Sequence, residues 1–84
     1  MEGEARLKEK LKAIGIEVES IHADCKHLLV VASVPILTSD KVFSTIFALD
    51  SLGYRLAAWV AYPRPGKLSL QLMMVLEEVR RREG

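Results

Sequence analysis

The 84-residue sequence predicts an α+β two-layer sandwich, in which two helices cover one face of a four-stranded antiparallel sheet. Three observations lead to this fold. Each of two segments with helical spacing is followed by two segments with strand spacing, and a short motif recurs at an offset of 38 residues. A single cysteine excludes a disulfide framework, and 50% hydrophobic residues favour one hydrophobic core for the whole chain, residues 1–84.

The first unit is predicted to contain one helix and two strands. Residues 4–14 carry apolar side chains near one stripe and charged side chains around the rest, and Gly15 ends this helix. Residues 16–22 begin with apolar and charged side chains in alternation, as expected of a half-buried strand. Residues 28–34 form a valine-rich apolar run that is typical of a central strand covered on both faces.

The second unit repeats this order of elements. Residues 38–40 (Thr-Ser-Asp) offer N-cap oxygens to a second helix. This helix carries a wide apolar stripe and is predicted to end at Gly53. Residues 54–62 are predicted to form a third strand, and residues 63–66 (Pro-Arg-Pro-Gly) have the composition of a turn. Residues 68–74 alternate in hydrophobicity and are predicted to form the fourth strand.

The tail, residues 76–84, is predicted to form a short helix. Two acidic side chains precede two basic ones by four residues, the spacing that supports a helix through the pairs Glu77–Arg81 and Glu78–Arg82. An alternative interpretation makes residues 68–83 one continuous helix, because their apolar positions also fit a period of 3.6.

An internal repeat favours the four-stranded interpretation. Residues 11–18 and 49–56 align without a gap, and the helix end, the glycine and the strand start coincide in both copies. The chain is therefore predicted to be an (αββ)2 pseudo-repeat, with units at residues 4–34 and 38–75. The alternative is that the two segments are not a true repeat, because any junction of helix, glycine and strand has the same pattern of residues.

The same positions resemble the ACT domain family over about residues 7–62. The resemblance rests on apolar and glycine positions, namely Leu11, Gly15, Ile16, Val18, Ile21, Leu29, Val30, Val31, Val42, Ile46, Leu49, Leu52, Gly53, Tyr54 and Leu56. It implies a ferredoxin-like regulatory domain that binds a small metabolite, such as an amino acid, at a subunit interface. ACT domains begin with a strand, whereas this chain begins with a helix. Moving the first strand of a ferredoxin-like domain to the C-terminus gives the order predicted here, with residues 68–74 beside residues 28–34.

Strand alternation predicts an apolar patch on the face of the sheet that carries no helix. With Tyr62 placed opposite Leu68, this face is expected to display five large apolar side chains, Ile21, Leu29, Val31, Trp59 and Met73. A monomer seldom exposes so contiguous a patch, so we expect a second copy, a partner protein or a ligand to cover it, with Trp59 as the anchor. The alternative is an error of one residue in the alternation, which would place Trp59 in the core.

The hairpin turn at residues 22–27 holds the chain's one cluster of chemically versatile side chains. Its candidate metal ligands are His22, Asp24, Cys25 and His27. Their spacing matches no common zinc signature, so a polar turn shaped by Asp24 is the expected role. A nucleophilic pair of Cys25 and His27 lacks an orienting third group. We therefore expect no metal site, no catalytic residue and no cofactor.

These observations favour a non-enzymatic, self-associating regulatory or scaffold domain, a homo-oligomer of dimer size or larger. The competing interpretation is a nucleic-acid-binding accessory protein that uses the basic residues Arg64, Lys67, Arg80, Arg81 and Arg82. A net charge of +1 argues against a strongly basic nucleic-acid binder.

The sequence also carries signals of location and habitat. The charged N-terminus lacks the apolar region of a secretory signal, and no apolar run is long enough to span a bilayer, so we expect a cytoplasmic protein with no membrane partner. The absence of asparagine indicates a thermophilic source or a GC-rich genome.

Overall fold

A computed structural model describes residues 2–79 of the chain. It contains two helices and four strands, which in chain order are α1 (Glu2–Ala13), β1 (Glu17–Ala23), β2 (His27–Val34), α2 (Ser39–Ser51), β3 (Tyr54–Pro63) and β4 (Leu70–Glu78). The prediction of an α+β fold with a four-stranded antiparallel sheet and two helices is confirmed.

The strands form one sheet in the order β1-β2-β4-β3, and every neighbouring pair is antiparallel. The two most apolar strands therefore lie at the centre, as predicted, and pair without interruption from His27↔Glu77 to Val34↔Leu70. The edges are β1 and β3, and the outer edge of β3 has no strand neighbour within residues 2–79.

The core lies between the two helices and one face of the sheet. Alternate residues of both central strands point into it, and α1 and α2 each contribute a narrow stripe. The fully or almost fully buried apolar residues are Leu7, Leu11, Ile16, Val30, Ala32, Val34, Leu49, Leu72, Met74 and Leu76. Among the described residues Thr45 is the one buried polar side chain, and its hydroxyl donates a hydrogen bond of 2.7 Å to the Lys41 carbonyl.

The capping and stop signals act as the sequence indicates. The Thr38 side chain accepts a hydrogen bond from the Lys41 backbone N–H and caps α2. Gly15 and Gly53, which follow the helices, have φ angles of 88° and 87°, a region that glycine enters without steric cost.

The C-terminal segment differs from the prediction. Strand β4 begins at Leu70 rather than residue 68 and continues to Glu78, so residues 76–78 are strand and not the start of a helix. The alternative of one helix over residues 68–83 is also wrong. Leu76 is fully buried between Leu28 of β2 and Leu56 of β3, and this burial outweighs the helical charge spacing of the tail. Residues 80–84 lie outside the described residues.

Two β-bulges change which face several side chains occupy. The pairing of β1 with β2 skips Glu19, and the pairing of β3 with β4 skips Ala57. Each bulge adds one residue to its strand, so every later side chain points to the opposite face from that expected by strict alternation. The hairpin register also differs, since Tyr62 lies opposite Gln71 and not Leu68.

Candidate functional site: the helix-free face of the sheet

The face of the sheet that carries no helix presents a continuous apolar surface across three strands. We call it the sheet-face patch; it consists of Leu29, Val31, Ala58, Val60, Tyr62, Met73 and Val75. Leu29 lies opposite Val75, and Val31 lies opposite Met73, which in turn lies opposite Val60. Val60 is 52% exposed, whereas the residues of β2 and β4 are half-buried by their neighbours. The Tyr62 hydroxyl lies 3.4 Å from the Met73 sulfur.

Charged side chains border the sheet-face patch at both ends. At one end, Arg64 Nη1 donates to Glu19 Oε2 over 2.7 Å and so connects the two edges of the sheet. At the other end, Glu77 accepts hydrogen bonds from Arg55 through Oε1, and its Oε2 lies 3.3 Å from His27 Nε2. An apolar centre with a polar border is the usual composition of a protein interface.

The carboxyl group of Glu77 has a lowered pKa. The hydrogen bond from Arg55 and the positive charge of Arg55 are the main causes, partial desolvation opposes them, and His27 adds a smaller lowering. The stabilisation from this ionised carboxylate is complete above the pKa that Glu77 has in the unfolded chain, and it is lost as the pH falls through the lower folded-state pKa.

We expect Arg55→Met to raise the pKa of Glu77 towards its usual value, because the largest source of lowering is removed. A carbon-13 NMR titration of the side-chain carboxyls measures this directly. Arg64→Met is the matched control, since Arg64 contacts Glu19 at the other end of the face. A Glu77 midpoint that stays unchanged in Arg55→Met, or moves equally in the control, would contradict the assignment.

The structure brings together three of the five predicted interface residues. Leu29, Val31 and Met73 are neighbours in the sheet-face patch, as expected. Ile21 and Trp59 lie on the helix side instead, so their predicted placement is wrong. Each follows a bulge, and Trp59 lines a small cavity with Val42 and Thr45 of α2.

Sequence reasoning also missed four members of the patch, Ala58, Val60, Tyr62 and Val75. The first three follow the Ala57 bulge, so strict alternation along residues 54–62 places them on the helix side, and Val75 lies one residue beyond the predicted strand of residues 68–74. Shifting the alternation of β3 by one residue after Leu56 places Ala58, Val60 and Tyr62 on the helix-free face. No proline or glycine in the sequence marks the bulge that causes this shift.

The hairpin turn at residues 22–27 is a polar turn. The Asp24 side chain accepts a hydrogen bond of 2.7 Å from the Cys25 backbone N–H, the turn-forming role expected of it, and the Cys25 side chain is exposed. His27 contacts Glu77 rather than the other candidate ligands. Among residues 2–79, no three His, Cys, Asp or Glu side chains lie close enough together to hold a metal ion.

An open cleft of about 870 Å³ lies next to this turn. Its walls come from the turn, the N-terminal end of α1, the start of β3 and the end of β4, with Glu4, Asp24, Lys26, His27, Tyr54 and Glu78 among the lining residues. Four acidic residues line the cleft, Glu4, Asp24, Glu77 and Glu78, against one basic residue, Lys26, so its lining carries a net negative charge.

Of the five basic residues proposed for nucleic-acid binding, the structure describes Arg64 and Lys67, which lie in one loop where the Lys67 backbone N–H donates to the Arg64 carbonyl over 3.1 Å. Arg64 is paired with Glu19, and its side chain is only 29% exposed. Lys67 lies in the exposed loop between β3 and β4. Arg80, Arg81 and Arg82 fall outside the described residues, so nucleic-acid binding stays a prediction.

No protein-family model, curated protein or solved structure matches this chain. The resemblance to ACT domains therefore stays a prediction. Neither helix of the described chain has the length and apolarity needed to cross a bilayer.

Proposed function

We propose that this chain is a non-enzymatic regulatory or scaffold domain that self-associates through its helix-free sheet face. The observation that carries the proposal is the sheet-face patch, which places seven apolar side chains on one open surface bordered by ion pairs. A charged or hydrogen-bonding surface would suit a soluble monomer better.

The expected energetics favour pairing. Burial of about 400 Å² of this surface contributes on the order of 10 kcal/mol at ~25 cal/mol/Å², before the costs of association. The pairing is isologous, because the same patch serves both copies, and this closes the assembly as a dimer.

The finer architecture belongs to the same proposal. We regard the fold as a ferredoxin-like domain whose first strand has moved to the C-terminus, built from two αββ units. The central pairing of β2 with β4 supports this, because such a permutation places its last strand beside the second strand of the first unit.

A regulatory role would follow from linkage. The resemblance to ACT domains suggests a small metabolite at the subunit interface. A molecule that binds only the paired form stabilises pairing by an amount that grows with the logarithm of its concentration above its Kd, and pairing in turn raises the affinity for the molecule. Native mass spectrometry reports the number of subunits and any retained small molecule in one measurement.

The test of the proposal places a charge at the centre of the patch. Val31→Glu is expected to weaken face-to-face association by about 100-fold, because two carboxylates would be buried against each other. Sedimentation equilibrium from micromolar to millimolar concentration measures the change. Ile36→Glu is the matched control, since Ile36 is 64% exposed and lies in the loop between β2 and α2, outside the strands that form the patch.

Two results would overturn the proposal. One is a wild-type chain that remains monomeric at millimolar concentration. The other is an assembly that Val31→Glu and Ile36→Glu affect equally. Added salt separates the proposal from nucleic-acid binding, because association of apolar faces should persist at high salt, whereas contacts with phosphates weaken steeply.

A further inference from the structure

The open cleft beside the hairpin turn contains carboxylates that form no ion pair within residues 2–79. The cleft has a volume of about 870 Å³, and Glu4, Asp24 and Glu78 line it together with the apolar residues Leu28 and Leu76. The ion pairs of the described chain involve other acidic residues. The cleft therefore has both the room and the charge for cationic groups.

The two acidic residues at the end of β4 differ in their partners. Glu77 is paired with Arg55 and His27 at the border of the helix-free face. Glu78, the next residue, points to the opposite face of the sheet and lies across from Tyr54 of β3. The Glu78 side chain is exposed, so a cation can reach its carboxylate from the solvent side of the cleft.

The described part of the chain ends at the edge of this cleft. The Val79 backbone N–H donates a hydrogen bond of 2.8 Å to the Gly53 carbonyl, which fixes Val79 beside the start of β3. Both neighbours of β4 begin at this end of the sheet, β2 at His27 and β3 at Tyr54. His27 and Tyr54 line the cleft, so the residue that follows Val79 starts next to it.

The sequence that follows Val79 is basic. Residues 80–82 are three consecutive arginines, and they lie outside the described residues. Three residues cover at most roughly 10 Å of extended chain, which is about the width of a compact space of 870 Å³. The long arginine side chains add to this distance. The far walls of the cleft are therefore within reach of these guanidinium groups.

We propose that the arginines of residues 80–82 bind in this cleft of their own chain, with their guanidinium groups paired to the carboxylates of Glu4, Asp24 and Glu78. Arginine suits the cleft because its planar group forms two parallel hydrogen bonds to a carboxylate and stacks on an aromatic ring, which Tyr54 supplies. Three positive charges then meet three carboxylates. The contact joins the C-terminal segment to the hairpin turn and to the N-terminal end of α1.

This contact controls what else the arginines can bind. While they are paired in the cleft, they cannot contact phosphates, so a polyanion has to displace the cleft carboxylates before it binds them. The cleft thus acts as an internal competitor of nucleic acid. The contact is independent of sheet-face association, because the cleft and the sheet-face patch have no residue in common.

The test measures how fast trypsin cleaves the folded protein after each of the three arginines, with the C-terminal products identified by mass spectrometry. Pairing in the cleft protects these bonds in wild type. Glu4→Gln combined with Asp24→Asn should raise the cleavage rate by about fivefold, the effect expected from the loss of two partly exposed ion pairs. Asparagine keeps the oxygen that accepts the hydrogen bond from Cys25, and neither substitution changes the sequence around the cleaved bonds.

Glu9→Gln combined with Asp50→Asn is the matched control. It removes the same two charges from exposed positions on α1 and α2 that do not line the cleft. Its cleavage rate should equal that of wild type. Circular dichroism confirms that both double variants are folded.

A second measurement changes the arginines and leaves the cleft intact. Arg80→Gln, Arg81→Gln and Arg82→Gln are combined, and the proton–nitrogen NMR spectrum of this variant is compared with that of wild type. Changes in amide chemical shift should appear at Gly3 and Asp24, which line the cleft but are distant from the arginines in sequence.

Three results would overturn the proposal. One is a cleavage rate that is equal in wild type, the cleft variant and the control. Another is an NMR comparison in which only residues next to the substituted arginines change. The third is protection that grows with protein concentration in Val31→Glu, where sheet-face pairing is weakened, because this would assign the arginines to the cleft of a second copy. None of these results affects the proposed function, which the association of Val31→Glu tests separately.

Discussion

Leu76→Ala is expected to lower the free energy of unfolding by about 2–5 kcal/mol, the usual cost of a leucine-sized cavity in a core. Leu76 has no exposed surface and lies on a central strand between Leu28 and Leu56. Because small domains are typically stable by only about 5–15 kcal/mol, this loss is a large share of the total. Urea unfolding followed by circular dichroism measures it.

Leu68→Ala provides the control for this substitution. The change is chemically identical and falls in the loop that leads into the same strand, but the Leu68 side chain is fully exposed. We expect its effect to stay within about 0.5 kcal/mol. If the two substitutions lowered the free energy of unfolding equally, the extension of β4 past Met74 would be wrong and a helix from residue 76 would again be the better interpretation.

Val30→Glu is expected to destabilise the fold by more than about 4 kcal/mol and to leave much of the chain unfolded. Val30 is fully buried on β2, where it lies opposite Met74, and no charged side chain is buried in the described part of the chain. A carboxylate at this position would have to be protonated or exposed by local unfolding. Circular dichroism and the dispersion of the proton NMR spectrum measure the folded fraction.

The neighbouring substitution Val31→Glu should behave differently. Val31 points to the opposite face of the same strand, so its carboxylate can reach water in the monomer and the fold should persist. The pair therefore tests the assignment of the two faces. If Val31→Glu unfolds the chain and Val30→Glu does not, the assignment is reversed.

Secondary structure was largely predictable because local signals mark it. The Thr38 cap and the glycines that follow the helices occupy the positions that their backbone chemistry requires. The central position of residues 28–34 follows from their apolar composition. Within the described chain helices cover one face of this strand, and the expected cover of its other face, at Leu29 and Val31, stays a prediction.

The candidate site was only half predictable. Leu29, Val31 and Met73 lie on uninterrupted strands, so simple alternation places them correctly on the helix-free face. Ile21 and Trp59 each follow a bulge, and a bulge arises from how two distant strands fit together rather than from a residue in the strand itself. The exposure of Phe43 and Phe47 depends on which side of α2 packs on the sheet, since both lie two residues from the buried Thr45 and so on the opposite side of the helix.

The order of helices and strands, and the residues that build the centre of the sheet, were thus determined by the sequence alone, because spacing, caps and hydrophobicity act over a few residues. The tertiary structure decided three further features: the face on which Trp59 lies, the strand conformation of residues 76–78, and the apolar surface left open on the helix-free face of the sheet. Each depends on the register between segments far apart in the chain, where the burial of a side chain such as Leu76 outweighs its local preference.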